Sequence, residues 1–105
     1  MGILKGARSE AKARRVIIRD NKLTVDLFDG RAISVPLAWF PRLLQGSRKE
    51  RAKWRLIGRG QGIHWPDLDE NISVRDLLSG KASRESEASF QKWVKERGRG
   101  SRRRP

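Results

Sequence analysis

Three short apolar runs near the start of the chain constrain the fold most. The runs are Val16–Ile18, Leu23–Leu27 and Ile33–Val35. β-branched residues, and apolar residues that alternate with polar ones, are typical of half-buried strands. Asp20-Asn21 and Asp29-Gly30 supply turn chemistry between the runs, because Gly, Asn and Asp tolerate a positive φ. The segment therefore predicts a three-stranded antiparallel meander.

Short helices and one or two further strands are expected after the meander. Pro41 suits the first turn of a short helix. Ser47 and Glu50 form an S-x-x-E capping box, which predicts a second helix that ends near Trp54. Apolar pairs on both sides of the loop Gly58–Gly62 predict the further strands. A last core helix is expected between a Ser73 cap and a closing Gly80.

The chain divides into three segments, of which only the middle one has the composition of a folded core. Residues 1–13 form a flexible basic leader, residues 14–80 form a small α+β domain, and residues 81–105 form an amphipathic helix and an Arg-rich tail. The helix is indicated by the helical spacing of Phe90, Trp93, Val94 and Arg97, with a cap at Ser83 and a stop at Gly98. The basic tail beyond Gly98 is expected to be disordered.

Charge and cysteine content limit the function classes. The chain has 25 Lys and Arg against 12 Asp and Glu, a net charge of +13, and this favours nucleic acid or an acidic protein as partner. The absence of cysteine excludes disulfides and thiolate metal sites and fits a reducing cytosol. No segment is apolar enough for a membrane span, so we expect a cytoplasmic protein without a membrane partner.

No catalytic constellation or cofactor motif is complete. The loop Gly58–Gly62 lacks the third glycine of a dinucleotide fingerprint and the Gly-Lys-Ser/Thr ending of a P-loop, which favours a hinge or hairpin. His64 with Asp67, Asp69 and Glu70 resembles a metal or acid/base cluster, but a lone histidine without cysteine is a poor zinc site. We therefore expect neither an enzyme nor a bound metal or cofactor.

The acidic island around His64 has two other interpretations. It is either a patch for a basic partner or a set of carboxylates that pair with the chain's own arginines. Tryptophans in a basic chain also suggest base stacking, but Trp39, Trp54 and Trp65 fall at element boundaries, where core packing is favoured. Trp93 lies outside the predicted core, and its role stays open.

Basic side chains form a second candidate site, for nucleic acid. They are Arg48, Lys49 and Arg51 on the second helix, and Arg97, Arg99, Arg102, Arg103 and Arg104 in and after the C-terminal helix. Contacts of this kind with phosphates release counterions and make binding steeply salt-dependent. The tail is otherwise a solubilising segment, and both interpretations stay open.

Strings between residues 30 and 80 resemble a known family. They are GRAISVPLAWFPRL from Gly30 to Leu43, GIHWPDLDE from Gly62 to Glu70, Ile72-Ser73-Val74 and Leu77-Leu78. Their joint occurrence resembles the bacterial family called domain of unknown function 2442 (DUF2442), over about Val16 to Gly80. The resemblance implies a small α+β domain with an antiparallel sheet and transfers no active site.

The resemblance also implies a kind of partner. Genes of this family often neighbour those of domain of unknown function 4160, in arrangements that look like toxin–antitoxin modules with this family on the antitoxin side. The leading hypothesis is therefore an antitoxin-like or adaptor protein that grips a small partner protein. The proposed surface comprises Trp39, His64, Trp65, Asp67, Asp69 and Glu70. Some relatives carry a helix-turn-helix that this sequence does not show, which argues against sequence-specific DNA binding. The alternative hypothesis is a nucleic-acid-binding accessory protein that contacts DNA or RNA non-specifically through its basic tail and basic helix face.

Overall fold

Two three-stranded antiparallel sheets follow one another along the chain in the computed structural model, which describes the backbone of residues 11–103 and the side chains of residues 11–98. The first sheet contains β1 (Ala13–Arg19), β2 (Lys22–Leu27) and β3 (Ala32–Pro36), and the second contains β4 (Arg55–Ile57), β5 (Gly62–Trp65) and β6 (Glu70–Ser73). The helices are α1 (Pro41–Gln45), α2 (Arg48–Ala52), α3 (Val74–Leu78) and α4 (Glu87–Arg103). The predicted α+β class is confirmed.

The first sheet is the meander that the sequence predicts. Val16 lies opposite Val25, and Val25 opposite Ile33, so one face of the sheet is apolar across all three strands. Asp20 and Asn21 have φ angles of 52° and 62°, as expected for the two central residues of a tight hairpin turn. The Asp20-Asn21 turn therefore sets the strand register that places the apolar face of the sheet toward the core.

The second sheet contains a strand more than the sequence predicts. Ile63 pairs with Ile72, and Trp65 pairs with Glu70, across a turn whose Leu68 is fully buried. The carboxylates from Asp67 to Glu70 were expected in a loop, but Glu70 begins β6. The loop Gly58–Gly62 joins β4 to β5, as the hairpin interpretation requires.

One hydrophobic core draws side chains from both sheets. The largest fully buried side chains are Trp65, Leu23, Leu37, Leu43, Ile63, Leu68, Val25 and Val74. Among the residues that the structure describes, no polar or charged side chain is fully buried. Ala13 is fully buried at the start of β1, so order begins before the end of the expected leader, whose residues 1–10 lie outside the described chain.

The caps of the two short core helices follow the sequence prediction. Ser47 Oγ accepts from the Glu50 amide at 3.0 Å, and a Glu50 carboxylate oxygen accepts from the Ser47 amide at 2.8 Å. α2 nevertheless ends at Ala52, before Trp54. Ser73 Oγ accepts from the Asp76 amide at 3.3 Å, and Gly80 follows α3 with φ +73°.

The C-terminal helix differs from the prediction at both ends. α4 begins at Glu87, with the Ser86 hydroxyl accepting from the Ser89 amide at 3.1 Å, whereas Ser83 caps nothing helical and accepts from the Glu85 amide. The helix passes through Gly98 to Arg103, so the expected stop at Gly98 is wrong. Within residues 11–103, no helix has the length and apolar composition needed to cross a membrane.

Candidate functional site

The carboxylates of the acidic island pair with the chain's own basic residues. Asp67 forms an ion pair with Lys53, with Oδ2 3.3 Å from Nζ. Asp69 Oδ2 lies 3.4 Å from Arg42 Nη1, which also donates to the Asp69 carbonyl at 2.9 Å. Pairing within the chain lowers the net negative charge that this island offers to a basic partner.

Trp65 is part of the core and is not available to a partner. Its side chain is fully buried, and its indole N–H donates to the Arg51 carbonyl at 3.0 Å. Glu70 lies opposite Trp65 in the β5–β6 ladder and therefore on the same inward side, half-buried. Burial raises the pKa of Glu70, against a hydrogen bond from the Asn71 amide that lowers it. Assigning Trp65 to a partner-binding surface is wrong.

Trp39 and His64 are the remaining two residues of the hypothesised surface. Trp39 is half-buried, and its carbonyl accepts from the Ser83 amide at 3.0 Å, which ties it to the segment before α4. His64 faces the opposite side of β5 from Trp65, because neighbouring strand residues alternate. Its Nδ1 lies 2.5 Å from Asn71 Oδ1. His64 and the core-facing Trp65 therefore do not share one surface, and nowhere in the described chain do three His, Cys, Asp or Glu side chains converge as metal ligands.

Trp93 anchors α4 to the core between two guanidinium groups. The Arg42 and Arg97 guanidinium carbons lie 4.9 Å and 4.8 Å from the Trp93 ring centroid. Arg42 also donates to Glu85, with Nε–Oε1 at 2.9 Å, and Arg97 donates to Glu50 at 3.0 Å. We call these five side chains the α4 clasp.

The clasp was not predicted, and it gives Arg97 a structural role within the chain. Arg97 is held by a cation–π contact and an ion pair within the chain, and its contact with phosphates stays a prediction. The four-residue spacing of Trp93 and Arg97 was a signal for their contact, since such positions are neighbours on a helix. Nothing local indicates that Arg42 or Glu50 meets them.

We predict that acid weakens the α4 clasp. The hydrogen bond from Arg42 lowers the pKa of Glu85, and the one from Arg97 lowers the pKa of Glu50. A carboxyl whose pKa is lowered by folding stabilises the fold above its ordinary pKa, and the effect is lost as pH falls. Because intrinsic amide exchange itself slows as pH falls, the quantity to compare is the protection factor, the intrinsic rate divided by the measured rate. Between about pH 6 and pH 3, protection followed by NMR should fall more in α4 than in β2.

Glu70→Gln is the matched control for this pH effect. The pKa of Glu70 is raised, so its contribution is present at low pH and fades as pH rises, opposite to Glu85 and Glu50. The variant should leave the acid-induced loosening of α4 in place. An equal loss of protection in α4 and β2 would contradict a local effect of the clasp.

The predicted nucleic-acid residues divide into engaged and exposed side chains. Arg51 Nε and Nη2 donate to the Leu43 and Leu44 carbonyls, each at 2.8 Å, so Arg51 closes the C-terminal end of α1. Its contact with phosphates stays a prediction. Arg48 and Lys49 are exposed on α2. The side chains of Arg99, Arg102 and Arg103, and all of Arg104, lie outside the described residues.

A groove of about 390 Å³ runs between the end of β1 and α2, and we call it the basic groove. Its lining residues are Val16, Ile17, Ile18, Arg19, Asp20, Asn21, Arg48, Arg51, Ala52 and Trp54. Arg19 and Arg48 are exposed, and Trp54 is half-buried. The groove thus combines an aromatic side chain with arginines, although Arg19 and Trp54 were not among the predicted site residues.

Solved structures show the fold of the chain, and a family model shows its family. A protein of unknown function from Rhodospirillum rubrum superposes with TM-score 0.64 at 24% identity, covering 76% of this chain and 96% of that one. An uncharacterized protein from Chromobacterium violaceum superposes with TM-score 0.61 at 20% identity, covering 91% and 83%. No curated protein matches the chain. The family model described as "Protein of unknown function (DUF2442)" matches residues 13–83, most of the chain, and the chain therefore belongs to the DUF2442 family, as the resemblance predicted.

Proposed function

We propose that this protein is a non-catalytic binding protein that contacts the phosphates of nucleic acid through its basic surface. The proposal rests on the ion pairs within the chain, which engage a larger share of the acidic side chains than of the basic ones. Six carboxylates form ion pairs in the described residues: Asp26, Asp29, Glu50, Asp67, Asp69 and Glu85. They engage only five basic side chains, because Arg42 pairs twice.

The basic excess is left at the surface. Residues 11–98, whose side chains the structure describes, contain 11 acidic and 19 basic residues, and these pairs engage six of the acids but only five of the bases. A surface with this imbalance attracts polyanions, and release of condensed counterions contributes to their binding. The acidic island argues against the leading sequence hypothesis, since Lys53 and Arg42 already neutralise Asp67 and Asp69.

We expect the full chain to bind nucleic acid with strong salt dependence. In fluorescence anisotropy with labelled DNA and RNA of 12 to 20 nucleotides, chosen to span about one binding site, log K should fall with log salt with a slope of about −3 or steeper. That slope corresponds to three or more phosphate contacts. Changing the tail arginines Arg99, Arg102, Arg103 and Arg104 to glutamine measures how much of the slope the tail supplies.

The result that would overturn the proposal is simple. At about 0.15 M salt, close phosphate contacts are still detectable despite screening. If the chain binds none of the tested nucleic acids at this salt concentration, its basic surface does not serve nucleic-acid binding. A matched charge control is the variant with Arg75, Lys81, Arg84 and Lys92 changed to glutamine, all exposed and outside both the tail and the basic groove. It should alter the slope less than the tail variant does.

Capture of a small partner protein, of the domain of unknown function 4160 family in a toxin–antitoxin-type module, is the second candidate. The observation that favours it is the apolar edge strand β4, whose Leu56 and Ile57 side chains are exposed. β4 pairs only with β5 among the described strands, so its outer edge is available for pairing with another chain. A negative result with nucleic acid would move this candidate to first place.

A further inference from the structure

We propose that the basic groove takes single-stranded nucleic acid, with a base stacked on Trp54 and the neighbouring phosphates held by Arg19 and Arg48. This inference rests on the proposed function and names both the class of nucleic acid and the site. Neither Arg19 nor Trp54 is part of the surfaces that the sequence indicated.

The shape of the groove suits a nucleotide. Its volume of about 390 Å³ lies within the range of about 300 to 1,000 Å³ in which pockets hold small organic ligands. One wall is the end of β1 with the exposed Ile17, and the other is α2 together with Trp54, which follows the helix by two residues. An unstacked base has two apolar faces and a charged backbone on one side, which matches apolar walls beside exposed arginines.

Trp54 is the tryptophan best placed for stacking. Trp65 is fully buried, Trp93 is covered by two guanidinium groups, and Trp39 does not line the groove. The half-buried Trp54 is held against the core while it contributes to the groove lining. An aromatic ring that the fold already holds in place binds a base without losing much side-chain entropy.

The charges around the groove favour phosphate. Arg19 and Arg48 lie on opposite walls, and both are exposed. Arg51 adds a third positive charge, and its guanidinium is fixed by two backbone carbonyls. Asp20 is the one acidic residue of the lining, so the groove carries a net charge of +2.

Duplex nucleic acid fits this groove poorly. Bases in a duplex are stacked on one another and show a protein only their edges and the backbone, so a single aromatic side chain has no base face to contact. α2, the helix beside the groove, has five residues and is too short to read a major groove. Single strands expose base faces, and stacking on an aromatic ring tolerates every base.

The test compares a dT12 oligonucleotide with a 12-base-pair duplex, both titrated with the full chain. We expect dT12 to bind at least about tenfold more tightly and to quench tryptophan emission. Trp54→Leu should weaken dT12 binding about tenfold and remove most of the quenching, whereas Trp54→Phe should retain most of the affinity. Trp39→Leu is the matched control, since it removes another half-buried tryptophan outside the groove.

Charge reversal tests the groove without altering the core. The double variant Arg19→Glu and Arg48→Glu should weaken dT12 binding at least about tenfold and reduce the salt slope by about two. Arg75→Glu with Lys81→Glu makes the same change of net charge away from the groove and should have a smaller effect. Both pairs are exposed, so folding should be retained in circular dichroism.

The outcomes separate this inference from the function on which it rests. If nothing binds, the proposed function fails and the inference fails with it. If duplex and dT12 bind equally, or if the groove variants behave like their controls, nucleic-acid binding stands but the basic groove is not its site. Preference for dT12 together with loss in both groove variants supports the inference.

Discussion

Replacing Trp65 by alanine is expected to remove most of the stability of the domain. Trp65 is the largest fully buried side chain, and alanine at such a site costs about 3–5 kcal/mol through lost burial and a residual cavity. The Arg51 carbonyl also loses its indole donor, which adds about 1 kcal/mol. Since small domains are stable by about 5–15 kcal/mol, urea denaturation followed by circular dichroism should show the variant largely unfolded or close to it.

Two further variants make this prediction specific. Trp65→Phe keeps an aromatic ring in the core but loses the indole N–H, so it should cost about 2 kcal/mol, less than alanine. Trp39→Ala removes a half-buried tryptophan and should also cost less than Trp65→Ala. If Trp65→Ala changed the free energy of unfolding by less than about 1 kcal/mol, the position of Trp65 in the core would be wrong.

The first sheet could be predicted because its signals are local. Alternation along β2 and a turn of two residues with positive φ at Asp20 and Asn21 determine both the strands and their register. β6 lacks such signals, since Glu70–Ser73 contains a single apolar residue, Ile72. Its strand conformation comes from pairing with β5, which is a contact that composition does not encode.

The candidate site was less predictable because it depends on contacts between distant residues. Strand alternation alone places His64 and Trp65 on opposite faces, so the sequence held the evidence against a shared surface. In contrast, Arg42 reaches Asp69 and Glu85 across separations of 27 and 43 residues, and no spacing rule indicates those pairs. The basic groove likewise forms only when β1 and α2 come together.

Replacing Arg42 by alanine is expected to detach α4 from the core. Arg42 donates to Glu85, binds the Asp69 carbonyl and covers one face of Trp93. The Arg42 and Glu85 side chains are only 15% and 12% exposed, so loss of the arginine leaves a largely buried carboxylate without its partner. The cost lies between that of a surface pair and that of a fully buried one, about 2 kcal/mol.

Local release of α4 is distinguishable from global unfolding by where protection is lost. Amide exchange in α4 should accelerate about thirtyfold in Arg42→Ala, which corresponds to about 2 kcal/mol, while exchange in β2 and β5 changes much less.

Arg42→Lys supplies the control for charge, because lysine keeps the positive charge but lacks the planar fork that serves Glu85 and stacks on Trp93. It should therefore restore only part of the protection. Uniform acceleration in helix and strands alike would show that Arg42 supports the whole core, and unchanged exchange in α4 would show that Trp93 and the Arg97–Glu50 pair hold the helix without it. The clasp accordingly predicts an order of effects on α4, with alanine largest, lysine intermediate and the natural arginine the reference.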